Sequence, residues 1–293
     1  MCLIWGIPYL LIKVAVSDLS PVTLVFFRTA IGAVLLVPLA AGRGNLEPLL
    51  PHWRAILIYT MVEVALPWFL LSDAETRLSS SLTGLLIAAV PFVGVVLGWL
   101  TGAGERFDAR RWFGLLIGFI GVAALVGLNV PARDFGAVGE VGLVAVGYAL
   151  GPMIISRRLS HLPALGVVAV SLALPAIAYA PLGLTHQPAA FPSLPVLASV
   201  ALLGVVCTAI AFLLFFALIA EVGNVRATTI TYVNPAVALA LGVVLLGEPF
   251  TVAAVVGFGL ILLGLFFATR RGSTAASVKV EPHKDEQVAD ASG

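Results

Sequence analysis

Along this chain, apolar runs of 15–26 residues alternate with short polar breaks. A helix that crosses the ~30 Å hydrocarbon core of a bilayer needs about 20 apolar residues, and it satisfies its own backbone where no water can. Ten runs fit that pattern, at 2–16, 22–41, 54–71, 80–101, 112–129, 138–156, 164–182, 194–219, 225–246 and 251–269. The first is short for a span. It lacks the basic leader and small-residue cleavage site of a signal peptide, so it reads as a helix, with room for a start upstream of Met1. The longest break, 42–53, has twelve residues, too few for a polar domain between spans. The polar tail 272–293 carries charges of both signs and reads as a disordered cytoplasmic tail.

The pattern then repeats. The stretch 89–106, AVPFVGVVLGWLTGAGER, followed by 112–127, WFGLLIGFIGVAALVG, returns as 233–249, VNPAVALALGVVLLGEP, followed by 255–270, VVGFGLILLGLFFATR. Pro91 matches Pro235 and Gly98 matches Gly242 at an offset of 144, while Glu105, Gly114 and Gly121 match Glu248, Gly257 and Gly264 at 143. A unit of that length is too long for a solenoid repeat and suits half of a transporter. The units are 1–129 and 138–269, five spans each. An odd span number makes the second unit enter the membrane from the opposite face. The expected fold class is an all-α polytopic membrane protein with ten transmembrane helices, arranged as two inverted five-helix repeats.

Composition fixes the solvent. Hydrophobic residues make up 60% of the chain, charged residues 11%, and the mean hydropathy is +1.10. Soluble domains carry about 25% charged residues, so lipid covers the surface that water would otherwise face. The net charge is +1 with no basic domain, and nucleic acid is not an expected partner. Cys2 and Cys207 stand far apart in apolar runs and suggest neither a disulfide nor a metal site. With the N-terminus cytoplasmic, the inner loops and tail hold Arg43, Arg54, Arg106, Arg110, Arg111, Arg157, Arg158, Arg226, Arg270, Arg271, Lys279 and Lys284, and the outer loops only Arg77 and Arg133. That bias predicts a multi-pass protein of the cytoplasmic membrane with both termini inside.

Trp5-Gly6 in the first span, Lys13, the Ser20-Pro21 loop end, Arg28 in the second span and the twice-occurring P…G…GE element together resemble the EamA-type branch of the drug/metabolite transporter superfamily. The likeness runs over residues 1–270 and departs at Pro8, where the family has a small polar residue. It implies ten helices in two inverted halves, and export or exchange of a small metabolite or drug-like solute. A secondary transporter working by alternating access is the expected function; a channel or a non-transporting receptor is the alternative. No enzyme is expected. His52, His161, His186 and His283 all lie in loops or the tail, no predicted span holds an aspartate, and there is neither an HExxH motif nor an intramembrane Ser–His pair. No cofactor is called for. The expected partners are lipid, a small-molecule substrate and a proton as coupling ion.

Ionisable residues inside spans cost about 2.5–3.5 kcal/mol each and mark candidate sites. Glu63 lies roughly 13 Å into the third span at 1.5 Å per residue. It is either a coupling or substrate-binding carboxylate, or a structural partner of Arg28 or Lys13. Arg28, roughly 9 Å deep, binds an anionic substrate group or pairs with Glu63. Lys13 sits near the outer end of the first span, where snorkelling would also explain it. Glu140 reads as a wet residue at the outer start of the sixth span. Trp5, Tyr9, Trp68, Tyr148 and Tyr232 are candidates for an aromatic cavity wall, against the default of an interfacial belt. Asn234, ahead of Pro235, is a candidate lining amide. Pro8, Pro91, Pro152 and Pro235 occupy repeat-related places and are hinge candidates, against static bends; Pro67 and Pro175 also fall inside spans. The pairs Gly114/Gly118 and Gly147/Gly151 allow close helix approach, within one chain or across a homodimer face.

Overall fold

A computed structural model describes residues 1–102, 108–188, 190–222 and 233–269. Among these the chain is helical, with no strand. The helices are α1 (Cys2–Gly6), α2 (Pro8–Ala15), α3 (Pro21–Gly42), α4 (Trp53–Tyr59), α5 (Leu66–Arg77), α6 (Ser80–Ile87), α7 (Val90–Leu100), α8 (Ala109–Asn129), α9 (Phe135–Ile154), α10 (Ala164–Thr185), α11 (Leu194–Gly204), α12 (Ala211–Val222), α13 (Asn234–Leu246) and α14 (Val252–Thr269). Several join into longer rods, so that seven helices are long and apolar enough to cross a membrane: Pro21–Gly42, Glu47–Arg77, Ser80–Leu100, Ala109–Asn129, Ala132–Leu159, Ala164–Thr185 and Leu194–Glu221. Cys2–Ala15, Asn234–Leu246 and Val252–Ala268 are shorter apolar helices.

Local chemistry sets the ends. Ser20 Oγ accepts from the Thr23 amide at 3.2 Å with Pro21 in the first helical turn, and Ser79 Oγ accepts from the Leu82 amide at 3.2 Å. Asp108 Oδ1 caps α8 through the Arg111 amide at 2.9 Å. Gly247, at φ +66°, ends α13 in the left-handed conformation that a side chain would resist. Before α3, Asp18 Oδ2 accepts from the Ser193 amide and hydroxyl, both at 2.9 Å, and these bonds hold its carboxyl below the usual carboxylate range.

The prolines mostly begin helices instead of interrupting them. Pro8, Pro91 and Pro235 stand in a first turn, where the missing N–H has no helical acceptor to lose, while Pro67 follows the π-helical segment inside the continuous Glu47–Arg77 rod. Pro8 follows a bend at Ile7, and Pro91 follows the turn that separates α6 from α7. Pro152 and Pro175 lie inside continuous helices.

Packing follows the repeat. In α8 and α14 the glycines meet backbone to backbone. A Cβ on Gly114 would lie 2.6 Å from the Gly264 carbonyl oxygen, and one on Gly121 would lie 2.7 Å from that of Gly257. The repeat-mate of Gly114 is Gly257, and that of Gly121 is Gly264. Each glycine therefore touches the mate of the other, and the two helices run antiparallel. Gly257 meets Leu125 and Gly114 meets Ala268, another pair of mates at the offset of 143. Helices α3 and α10, themselves 143 residues apart at both ends, also pack antiparallel, with Phe26 against Gly183 and Leu172 against Gly32. Gly147 fits against Val62 and Pro67, and Gly118 against Phe92. The GxxxG glycines are thus used inside the chain. Without a hydrophobic driving force in lipid, such close van der Waals contact holds helices together.

Candidate functional site

Two α-helical rods are distorted at their centres. Thr60–Ala65, between α4 and α5, and Val205–Ile210, between α11 and α12, are π-helical. The two segments lie 145 residues apart, close to the 143–144 offset of the sequence repeat. Such segments insert an extra residue in a turn and often mark functional positions. Trp68 follows the first, and Thr208 lies in the second.

Arg28 of α3 reaches between them and is 7% exposed. Its guanidinium carbon stands 3.7 Å over the centre of the Trp68 ring, and its Nε donates to Thr208 Oγ1 at 3.2 Å. A desolvated cation over an indole gains roughly 2 kcal/mol. The Trp68 indole and the Tyr148 hydroxyl lie close to one another beside Arg28. Tyr9, Tyr148, Cys207 and Glu75 are the electrostatic neighbours of the guanidinium.

The expected pairing of Glu63 with Arg28 is not there. Among the described residues the ion pairs join Arg77 with Asp73, Arg77 with Glu140, and Arg133 with Asp134. Helix geometry gives the reason. Seven residues set Trp68 and Glu75 within about 20° of each other around an α-helix, whereas Glu63 lies in the π-helical segment before it. Glu63 turns instead to α9, where a Cβ on Gly151 would sit 2.6 Å from the carboxyl carbon, and its Oε2 is buried without a partner.

Glu75 is the residue that sequence reading missed. Predicted to end at 71, the third rod runs to Arg77, and Glu75 is 0% exposed with both carboxyl oxygens lacking a partner. The polar stretch Ser72-Asp73-Ala74-Glu75-Thr76 looked like a loop; its seven-residue spacing from Trp68 was the available signal. Lys13 is tied to the same helix. Its Nζ donates to the carbonyls of Glu75 at 2.6 Å and Leu78 at 2.8 Å, so it caps the end of α5, a contact the sequence did not announce. Glu140 is also tied down, accepting from Arg77 Nη2 at 2.7 and 2.6 Å.

The remaining candidates stand apart from this cluster. Trp5 packs on Phe215 and Phe212 of α12, with ring centres 4.7 and 6.0 Å away. Asn234 heads α13, its carbonyl oxygen 3.1 Å from the place a Cβ on Gly6 would take. Tyr232 lies outside the described residues. Glu248 acquires a function in the fold: it accepts from the Ser80 amide at 2.7 Å, the Ser80 hydroxyl at 3.0 Å and the Ser81 amide at 2.8 Å. The carboxylate of the second GE element thus covers the amino end of α6 in the first half.

A bundle of membrane-length apolar helices, with a buried arginine, a buried carboxyl at Glu75 and a further carboxyl in a helix distortion, is the build of a membrane transporter. The sequence model described as the EamA-like transporter family matches residues 1–127 and again 141–270, and the chain belongs to that family. It is 25% identical over 275 residues to YvbV, an uncharacterized transporter of Bacillus subtilis strain 168, spanning 90% of this chain and 88% of that one. It is 26% identical over 270 residues to YedA, an uncharacterized inner membrane transporter of Escherichia coli K12, spanning 91% and 87%. A solved crystal structure, titled only as that of a protein, shares the fold with a TM-score of 0.62 at 22% identity, covering 91% of this chain and 96% of that one.

Proposed function

We propose that this chain is a secondary transporter that exports or exchanges a small metabolite or drug-like solute across the cytoplasmic membrane by alternating access. Ten helices cross the bilayer as two inverted five-helix halves, residues 1–129 and 138–269, with both termini cytoplasmic. The observation that carries this is the crossed glycine contact of α8 with α14. Gly114 meets Gly264 and Gly121 meets Gly257, which is the pattern of a two-fold axis perpendicular to an antiparallel pair. For helices that span a membrane, that axis lies in the membrane plane, and halves so related rock about a site near the midplane. Arg28, Trp68, Tyr148, Tyr9 and Glu75 form the solute site. Glu63 and Glu75 are the carboxyls available to carry a coupling proton.

The test is flux. Purified protein in proteoliposomes is loaded with a pooled panel of small metabolites, and counterflow is followed by mass spectrometry. A carrier gives saturable, trans-stimulated exchange of a few solutes. Flux that rises linearly with concentration, without trans-stimulation, would mean a channel, and no flux of any solute would end the transporter assignment.

A further inference from the structure

We infer that the Arg28 site binds a single carboxylate group of the transported solute. The inference rests on the transporter reading above and narrows its substrate to a small organic monoanion. Burying a guanidinium is costly, and proteins usually offset the cost with a carboxylate. Among the described residues the one hydrogen bond of this guanidinium runs from Nε to the neutral hydroxyl of Thr208. The two Nη atoms donate to nothing among the described residues, yet they are not sealed off, so the outer fork of the guanidinium is open. An open Nη1/Nη2 edge is a planar two-donor fork, the geometry that takes both oxygens of a carboxylate.

The surroundings argue for one negative charge and against a phosphate dianion. Lys13, the other cation in the neighbourhood, is committed to two backbone carbonyls. Glu75 is the nearest carboxyl, and it leaves the fork open, since both of its oxygens are unpartnered. A dianion would meet a single guanidinium to offset its two charges, with the Glu75 carboxyl close by. The Trp68 ring lies face-on to the guanidinium, and Tyr9 and Tyr148 are among its electrostatic neighbours, which suits a carboxylate carried on a flat or apolar body.

The experiment is calorimetric titration of the protein in lipid nanodiscs with benzoate, its neutral isostere benzamide, acetate and inorganic phosphate. Benzoate should bind saturably and at least about 10-fold more tightly than benzamide, the difference expected from a charged hydrogen bond. Phosphate should bind more weakly than benzoate. Arg28→Gln should erase the benzoate preference, and Arg28→Lys should keep part of it. Equal binding of benzoate and benzamide, no binding of either carboxylate, tighter binding of phosphate, or a preference that survives Arg28→Gln would each overturn the inference. Should Arg28→Gln fail to fold, the wild-type comparison of benzoate with benzamide still decides. Binding is read without flux, so the two ideas fail separately. Carboxylate binding without transport of any solute would refute the transporter, while saturable flux of neutral solutes that benzoate does not inhibit would refute the carboxylate site alone.

Discussion

Gly114 and Gly98 provide a matched test of the crossed glycine contact. Both lie in apolar helices of the first half, and Gly98 sits against open space, with nothing within 4 Å of an added Cβ. At Gly114 a Cβ would lie 2.5 Å from the Ala268 amide nitrogen and 2.6 Å from the Gly264 carbonyl oxygen. Ordinary contact begins at 3.4 Å, so α8 and α14 must separate by about 0.9 Å to admit a methyl group. The obstructing atoms are backbone, which no rotamer can move aside. Overpacking of this kind costs roughly 1–3 kcal/mol, and removing a mid-helix glycine returns only about 0.5–1 kcal/mol. Gly114→Ala should therefore lower stability by about 0.5–2 kcal/mol, and Gly98→Ala should leave it unchanged or raise it by up to about 1 kcal/mol. Denaturant unfolding of both variants in nanodiscs measures the difference directly. Gly121→Ala, whose Cβ would meet the Gly257 carbonyl at 2.7 Å, should follow Gly114→Ala in direction. A Gly114→Ala protein at wild-type stability, or one no weaker than Gly98→Ala, would refute the contact and with it the main support for a two-fold relation between the halves.

Other outcomes follow from the same geometry. Glu248→Ala strips three hydrogen bonds from the start of α6 and should cost about 1–3 kcal/mol; faster amide exchange at Ser80 and Ser81 is the local readout, and unchanged exchange would mean that the cap does not form. Glu63→Gln keeps shape and removes the titratable proton, so solute exchange should lose its dependence on a pH gradient while the protein still folds; a wild-type pH profile of flux would make Glu63 structural. Cysteines placed singly at Thr76 and Gln187 should react with an impermeant thiol reagent in intact cells, and those at Arg43 and Ser160 should not, on a background lacking Cys2 and Cys207. Labelling of position 160 from outside would contradict the proposed orientation.

Much of the frame was readable before any coordinate. Hydropathy runs located the apolar helices, because a backbone in lipid has no alternative to internal hydrogen bonding, and the 143–144 offset marked a duplicated unit. The site was less legible, for three physical reasons. Polar residues at a helix end look like a loop, so Ser72–Thr76 was cut from its helix and the fully buried Glu75 went with it. Pairing by charge alone joined Glu63 to Arg28, whereas helical rotation points them at different neighbours. The π-helical segments, which bring Trp68 and Thr208 to Arg28, leave no mark in a hydropathy pattern at all.

The halves share a backbone plan and divide the chemistry. Arg28 in α3 corresponds, 143 residues on, to Ser171 in α10, whose hydroxyl is buried without a partner. Glu63, fourth residue of one π-helical segment, corresponds to Thr208, fourth of the other. Arginine and carboxyls thus stand in the first half, and the second half answers with hydroxyls, one of which holds Arg28 in place. Such a division separates two requirements that a symmetric sequence would confuse. In the proposed alternating-access reading, interconverting between inward and outward forms needs equivalent packing on both sides of the axis, and the paired glycines of α8 and α14 are the contacts that would supply it. Recognising a solute needs one orientation of charge, which a two-fold pair of arginines would spoil by adding a second uncompensated cation to a low-dielectric interior. Under the transporter reading proposed above, the symmetric part of the molecule is the part that moves, and the asymmetric part is the part that chooses.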